Sequence, residues 1–229
     1  MANFNFQDHH SQDYQSCWDY QEQRLNEIIE IKRATKEPTA ENSFILVEHP
    51  HVYTLGKSGD EHNLLVNDAF LKSIDATYVK INRGGDITYH GPGQLVGYPI
   101  IDLEYFHIGV REYIAKMEDA IIATVAHYGI AAGRKEGAAG VWLEAEDPIK
   151  ARKICAIGVR TSRFVTMHGF ALNVNTDLEY FNHINPCGFQ TLGATSMQKE
   201  LGHELDMAKV KEVLKAKFEE QYQITDEKK

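Results

Sequence analysis

The 229-residue chain is 43% hydrophobic and 25% charged, a globular composition able to bury a core in one sizeable domain or two small ones. Its 24 Lys and Arg against 33 Asp and Glu give a formal charge of -9 with no long basic run, which argues against a general binder of nucleic acid or anionic membranes. The start has no positive region leading into an apolar core, and no segment reaches bilayer-spanning length, so a soluble, cytosolic protein is expected. Cys17, Cys155 and Cys187 lie far apart with no Cys-x-x-Cys spacing, which is not a disulfide framework.

Residues 1–12 are polar and are expected to be loose. Tyr14, Cys17, Trp18, Leu25, Ile28 and Ile29 recur at helical spacing and predict an amphipathic helix over 13–33, with Cys17 as small core filler. Residues 43–48 read as a buried strand that stops at His49-Pro50-His51. Gly56-Lys57-Ser58 hints at a phosphate loop, but histidine stands at position 51 where that spacing requires glycine, so nucleotide hydrolysis has no support. His49, His51 and His62 lack a carboxylate or thiol at an established ligand spacing and are expected to face solvent or cap rather than hold a metal.

Residues 76–81 and 95–101 read as strands on either side of a glycine-rich loop, 83–93, whose backbone should bend tightly or lie close to a ligand. A 3.6-residue period over 110–128 predicts a helix closed by Gly129. Further strands are expected at 140–143, 153–159 and 164–174, with a turn at 144–148 and a hairpin turn at 160–163. A helical turn at 177–182 and an amphipathic helix over 206–222, capped by Asp206, complete the chain, and 225–229 should fray. With no repeat and no linker, residues 1–229 read as one domain of the α/β class (α+β type), a mixed sheet flanked by helices.

Cys187 is the candidate nucleophile on local grounds. Pro186 before it and Gly188 after it suggest a rigid turn whose peptide N–H groups could face an oxyanion, although an inert loop cysteine fits the same residues. A thiol needs a nearby cation or base to react at neutral pH, and Lys153, an ammonium on an apolar strand, is the best partner in sight. Cys155 shares the face of Lys153 and reads as packing; His90 and His168 fit equally as bases or as loop supports.

Four segments together closely resemble one family. Arg83-Gly84-Gly85-Asp86-Ile87-Thr88-Tyr89-His90-Gly91-Pro92-Gly93-Gln94, Lys153-Ile154-Cys155-Ala156-Ile157-Gly158-Val159, His168-Gly169-Phe170-Ala171-Leu172-Asn173-Val174 and Ile184-Asn185-Pro186-Cys187-Gly188 match, in this order, the lipoyl(octanoyl) transferases of the lipoate-protein ligase B family. The resemblance implies a mixed α/β domain similar to the catalytic domains of biotin and lipoate ligases. It implies transfer of an octanoyl or lipoyl group from octanoyl acyl carrier protein to a lysine of lipoyl domains, those of 2-oxoacid dehydrogenase complexes and the glycine cleavage H protein. In this family Cys187 would carry the acyl thioester and Lys153 would lower its pKa. Substrate contacts would fall on Arg83, Gly84, Gly85, Asp86, Ile87, Thr88, Tyr89 and His90, on Ala156, Ile157 and Gly158, and on Gly169, Phe170 and Ala171. No cofactor, metal, nucleic acid or membrane is called for, and a monomer is expected. Two other readings are an ATP-dependent lipoate or biotin ligase, against which the Pro-Cys-Gly turn speaks, and a non-catalytic acyl-binding protein with an inert Cys187.

Overall fold

Residues 43–48 have no polar face, and the computed structural model, which describes residues 4–185 and 193–222, shows the cause: their strand lies within a sheet covered on both sides. In chain order the elements are β1 (Phe6–Ser11), α1 (Tyr14–Thr35), β2 (Ser43–Glu48), β3 (Val52–Leu55), α2 (Asp68–Ser73), β4 (Thr77–Lys80), β5 (Ile87–His90), β6 (Gln94–Ile100), α3 (Val110–His127), β7 (Gly133–Lys135), β8 (Ala138–Leu143), β9 (Arg152–Ser162), β10 (Val165–Asn173), β11 (Gly193–Ala194), α4 (Met197–Leu201) and α5 (Met207–Gln221). The larger sheet runs β1-β2-β6-β10-β9-β8-β7, with β11 beside β9; the smaller runs β4-β3-β5. Parallel neighbours are β1 with β2, β11 with β9 and β3 with β4, so the sheets are mixed as expected.

Alternation along each central strand splits the core in two. Phe44, Leu46, Leu95 and Leu172 pack with Tyr113, Met117 and Ile121 of α3 and with Leu214 and Phe218 of α5. Ile45, Val47, Val96 and Ala171 pack with Cys17, Leu25, Ile28 and Ile29 of α1. The smaller sheet has its own cluster, in which Tyr53, Leu55, Ile87 and Tyr89 meet Ile184 and the short helix Leu178–His183.

Several expectations need correction. The amino-terminal segment is not loose from Phe6 to Ser11, where it forms an edge strand in parallel register with β2. Phe4 and Phe6, two apart on extended chain, share a face and close on Phe44 at ring distances of 5.7 and 4.8 Å. The glycine-rich stretch is not one loop, because residues 87–90 form β5 against β3. The β9–β10 turn is shorter than expected: Arg160 to Ser162 stay paired, and only Arg163 and Phe164 turn, both at positive φ (50° and 64°) as a two-residue hairpin of this twist requires. Neither is glycine or asparagine, so no residue signal marked these two positions as the turn within the expected segment.

His49 is not solvent-facing either, and His51 is only half-buried. His49 is 1% exposed: its Nδ1–H donates to Gln12 O at 2.7 Å, and its Nε2 accepts from the Tyr98 hydroxyl at 2.9 Å. His51 pairs through Nδ1 with the Tyr89 hydroxyl at 2.7 Å and stacks on Tyr180. His62 is exposed and bonded to Asp60. Among the described residues no group of three or more His, Cys, Asp or Glu side chains is placed to hold a metal, and no helix is long and apolar enough to cross a membrane.

Candidate active site

A cavity of about 750 Å³, within the size range of small-molecule sites, is bounded by residues of both sheets. Of the residues singled out from the sequence, Arg83, Gly85, Asp86, Ile87, Thr88 and His90 reach it from β5 and the loop before it, Lys153, Ala156, Ile157 and Gly158 from β9, and Gly169, Phe170 and Ala171 from β10. Tyr89 does not line it, because the alternation of β5 turns its fully buried ring into the cluster of the smaller sheet. Gly84 stays behind the wall, where its N–H donates to Val159 O at 3.0 Å. Cys187 lies outside the described residues, but Asn185 and Gly193, on either side of them, both line the cavity.

One string of hydrogen bonds ties three of the sequence segments together. Arg83, 8% exposed, donates through Nη2 to Thr54 O at 2.8 Å and Thr54 Oγ1 at 3.1 Å. Thr54 Oγ1 lies 3.3 Å from His90 Nε2. The Gln94 amide donates to Tyr89 O and to Asn173 Oδ1, which leaves its carbonyl to accept from His90 Nδ1–H at 2.8 Å. Asn173 then donates to Thr195 O at 2.9 Å, and Thr195 N–H donates to Lys153 O at 3.0 Å. The loop of Arg83, the end of β10 and the chain beyond Gly193 are therefore held in one register around the cavity.

The buried histidines in and behind this wall are neutral. Burial, with the Arg83 charge added, pushes His90 well below the usual range and His168 down to about 3; burial, partly offset by the hydrogen bond to Gln12 and the Asp13 charge, sets His49 at about 4. Asn82 donates its amide to Glu22, so its carbonyl accepts from His168 Nε2–H at 2.8 Å, and His168 Nδ1 is left as an acceptor with no partner among the described residues. None of these imidazoles is poised as a general base near neutrality. Both described cysteines are inert for a related reason, since burial raises Cys17 to about 12 and Cys155 higher still.

Glycines keep the walls thin. A Cβ on Gly169 would stand 2.1 Å from Gly97 O, and one on Gly158 would stand 3.0 Å from both Arg83 Cδ and Gly84 O. The glycines of these segments thus let backbone lie against backbone at the cavity wall. Sequence reasoning missed Tyr14, Tyr98 and Trp142 as lining residues, because aromatics on apolar stripes read as core. Gln94 and Asn173 stood within the quoted segments without an assigned part.

Ala194 pairs with Lys153 beyond the last paired residue of β10, so β11 brings the chain from Gly193 onward alongside this lysine. The Lys153 ammonium lies 4.6 Å from the ring centroid of Trp142. The Lys153 ammonium, the hydrogen-bonded wall of Arg83, His90 and Gln94, and an apolar surface from Ile87, Ile157, Phe170 and Ala171 can together hold an uncharged acyl chain with its reacting end near an ammonium.

Residues 13–219 match the family of lipoyl protein ligase A/B catalytic domains. Over 201 residues the chain is 56% identical to an octanoyltransferase of Bacteroides fragilis, covering 88% of this chain and 90% of that one. Over 224 residues it is 52% identical to an octanoyltransferase of Flavobacterium psychrophilum, covering 96% of each. The fold is similar to a putative lipoate protein ligase from Thermoplasma acidophilum, with a TM-score of 0.68 at 13% identity over 96% of this chain and 85% of that one. The chain belongs to the lipoyl protein ligase A/B catalytic-domain family and, within it, to the octanoyltransferases, acyltransferases that act in protein lipoylation.

Proposed function

We propose that residues 1–229 form a single catalytic domain that moves the octanoyl group from acyl carrier protein to a lysine of a lipoyl domain through a thioester on Cys187. The observation that carries this reading is convergence: Lys153, Asn185 and Gly193 line the same cavity as the segments expected to touch substrate. Cys187 follows Asn185 by two residues in the sequence.

In the first half-reaction the Cys187 thiolate, favoured by the Lys153 ammonium, attacks the donor carbonyl. The new C–S bond forms as the donor C–S bond breaks, and the departing thiolate takes the proton of Lys153. In the second, the now neutral Lys153 takes a proton from the acceptor ammonium, and the freed amine attacks the acyl enzyme. A C–N bond forms, the Cys187 thiolate leaves, and the remaining amine proton goes to solvent. Thioester-for-thioester exchange is nearly balanced and the amide product is more stable, so the sequence runs without ATP. The substrate-contact set is Arg83 to His90, Ala156 to Gly158 and Gly169 to Ala171, with Gly84 and Tyr89 acting from behind the wall.

Intact-mass spectrometry after mixing the protein with octanoyl acyl carrier protein tests this reading. One octanoyl group should appear on the wild type and leave on addition of a lipoyl domain, and Cys187→Ala should acquire none. Direct transfer with no acyl enzyme, or octanoate incorporation that requires ATP, would overturn it.

A further inference from the structure

We propose that Trp142 is the positioning residue for Lys153: the face of its indole holds the ammonium at the cavity wall and favours its charged form. The proposal rests on the reading of Lys153 given above and names the group that sets its place and ionisation. Trp142 lies on β8 directly across from Lys153 on β9. Regular antiparallel pairing from Val141 with Cys155 would put Trp142 opposite Ile154. A register shift between Val141 and Trp142 sets it opposite Lys153 instead, the kind of irregularity that re-aims a side chain beside a functional site. Gly140 precedes the shift at φ 116°, where a Cβ would stand 2.4 Å from Cys155 O, so this backbone course requires glycine.

The ring is built to hold a cation. Trp142 is 3% exposed, and its Nε1–H donates to Ala138 O at 3.1 Å, which fixes the plane of the indole. The ammonium at 4.6 Å from the centroid is within the range in which the negative face of the ring attracts a cation, an attraction that strengthens as water is excluded. Arg83 and Asp86 line the same cavity, and charged groups on the elements next to β8 and β9 have partners of their own. Arg152 of β9 is paired with Glu200 and Glu144, Glu118 of α3 with Arg134, Lys135 of β7 with Ala145 O, and the buried Cys155 thiol stays protonated. The indole can therefore tune Lys153 without bringing a charge of its own into the cavity.

The chain has only two tryptophans, so in a Trp18→Phe background biosynthetic fluorotryptophan labels position 142 alone. Fluorination drains the ring face of negative potential while nearly preserving shape, which separates electrostatics from packing. With lysine labelled at Cε and the Lys153 resonance assigned by its loss in Lys153→Arg, NMR titration should show its midpoint falling stepwise with each added fluorine. Trp142→Leu should lower it by about one pH unit and Trp142→Phe by less. A midpoint unchanged across the fluorinated series would overturn the assignment of Trp142 even if Trp142→Leu failed to fold. Octanoyl transfer by Lys153→Ala at the wild-type rate would instead overturn the reading of Lys153 itself, so the two failures are distinguishable.

Discussion

Gly97 and Phe170 face each other across the β6–β10 pair, and the phenylalanine ring occupies the space a side chain on Gly97 would need. A Cβ there would stand 2.2 Å from two ring carbons. The same ring stacks on Phe218 of α5 at 5.5 Å and borders the cavity, so one contact couples the core to the site. Gly97→Ala should therefore cost about 1–3 kcal/mol of stability by overpacking. Adding Phe170→Leu should recover part of that loss. Denaturant unfolding of the two single variants and the double variant reads the coupling; strictly additive losses would show that the ring is not what Gly97 accommodates.

The elements most legible in the sequence were those buried on two faces or carrying a long period. The helices α1, α3 and α5 and the strands β2, β6, β9 and β10 fall where periodicity put them, because their apolar patterns are dictated by the two packed layers. β1 was not legible, since an edge strand with only Phe4 and Phe6 to bury carries too little apolar signal against a polar background. His49 was misread because what makes it a core residue, Gln12 O and the Tyr98 hydroxyl, is distant in sequence. The convergence on one cavity of three segments and of Ile184 and Asn185 from the fourth was foreshadowed by their likeness to a family. The pairing of Trp142 with Lys153 was not, because it depends on a register shift that no residue pattern announces.

The described thiols predict selective labelling. Cys17 and Cys155 are fully buried with raised pKa values, so an alkylating reagent at pH 7 should modify neither in the folded protein. Cys17→Ala and Cys155→Ala should keep octanoyl transfer, at a stability cost of about 1–2 kcal/mol each from lost packing. Peptide mapping after a short pulse of iodoacetamide should find the label on Cys187. Prompt labelling of Cys155 would contradict the account.

Acid should destabilise the fold before its carboxylates titrate. His49, His90 and His168 have folded pKa values below the unfolded value of about 6.5, so the unfolded chain binds more protons as pH falls through that point. Stability from this source is fully present above pH 6.5 and is lost as pH drops toward 4, by up to about 1.4 kcal/mol per pH unit for each histidine. Urea midpoints measured from pH 7.5 to 5 should fall steeply, and His49→Gln should make the slope shallower even though it lowers stability at pH 7.5. A flat profile over that range would mean the three imidazoles are not held neutral.

The glycines around Arg83 differ in what they permit, and that difference predicts a chain-length signature. Gly85 has φ 88° and lines the cavity, so a side chain there is strained and also intrudes on substrate space. Gly158 has ordinary backbone but no room, with Arg83 Cδ and Gly84 O each 3.0 Å from a built Cβ. Gly84 lies behind the wall, and its nearest neighbour, Val159 O, would be 3.4 Å from a Cβ, an ordinary contact. If the acyl chain occupies this wall, each buried methylene contributes about 0.8 kcal/mol, so wild-type kcat/KM should fall roughly fourfold for every methylene removed from an octanoyl donor. Gly85→Val and Gly158→Ala should flatten that gradient by penalising octanoyl more than hexanoyl or butanoyl, whereas Gly84→Ala should leave it intact. Stability measured alongside separates strain from occlusion, because a merely strained variant loses activity equally for all chain lengths. Identical gradients in all four proteins would place the acyl chain elsewhere in the cavity.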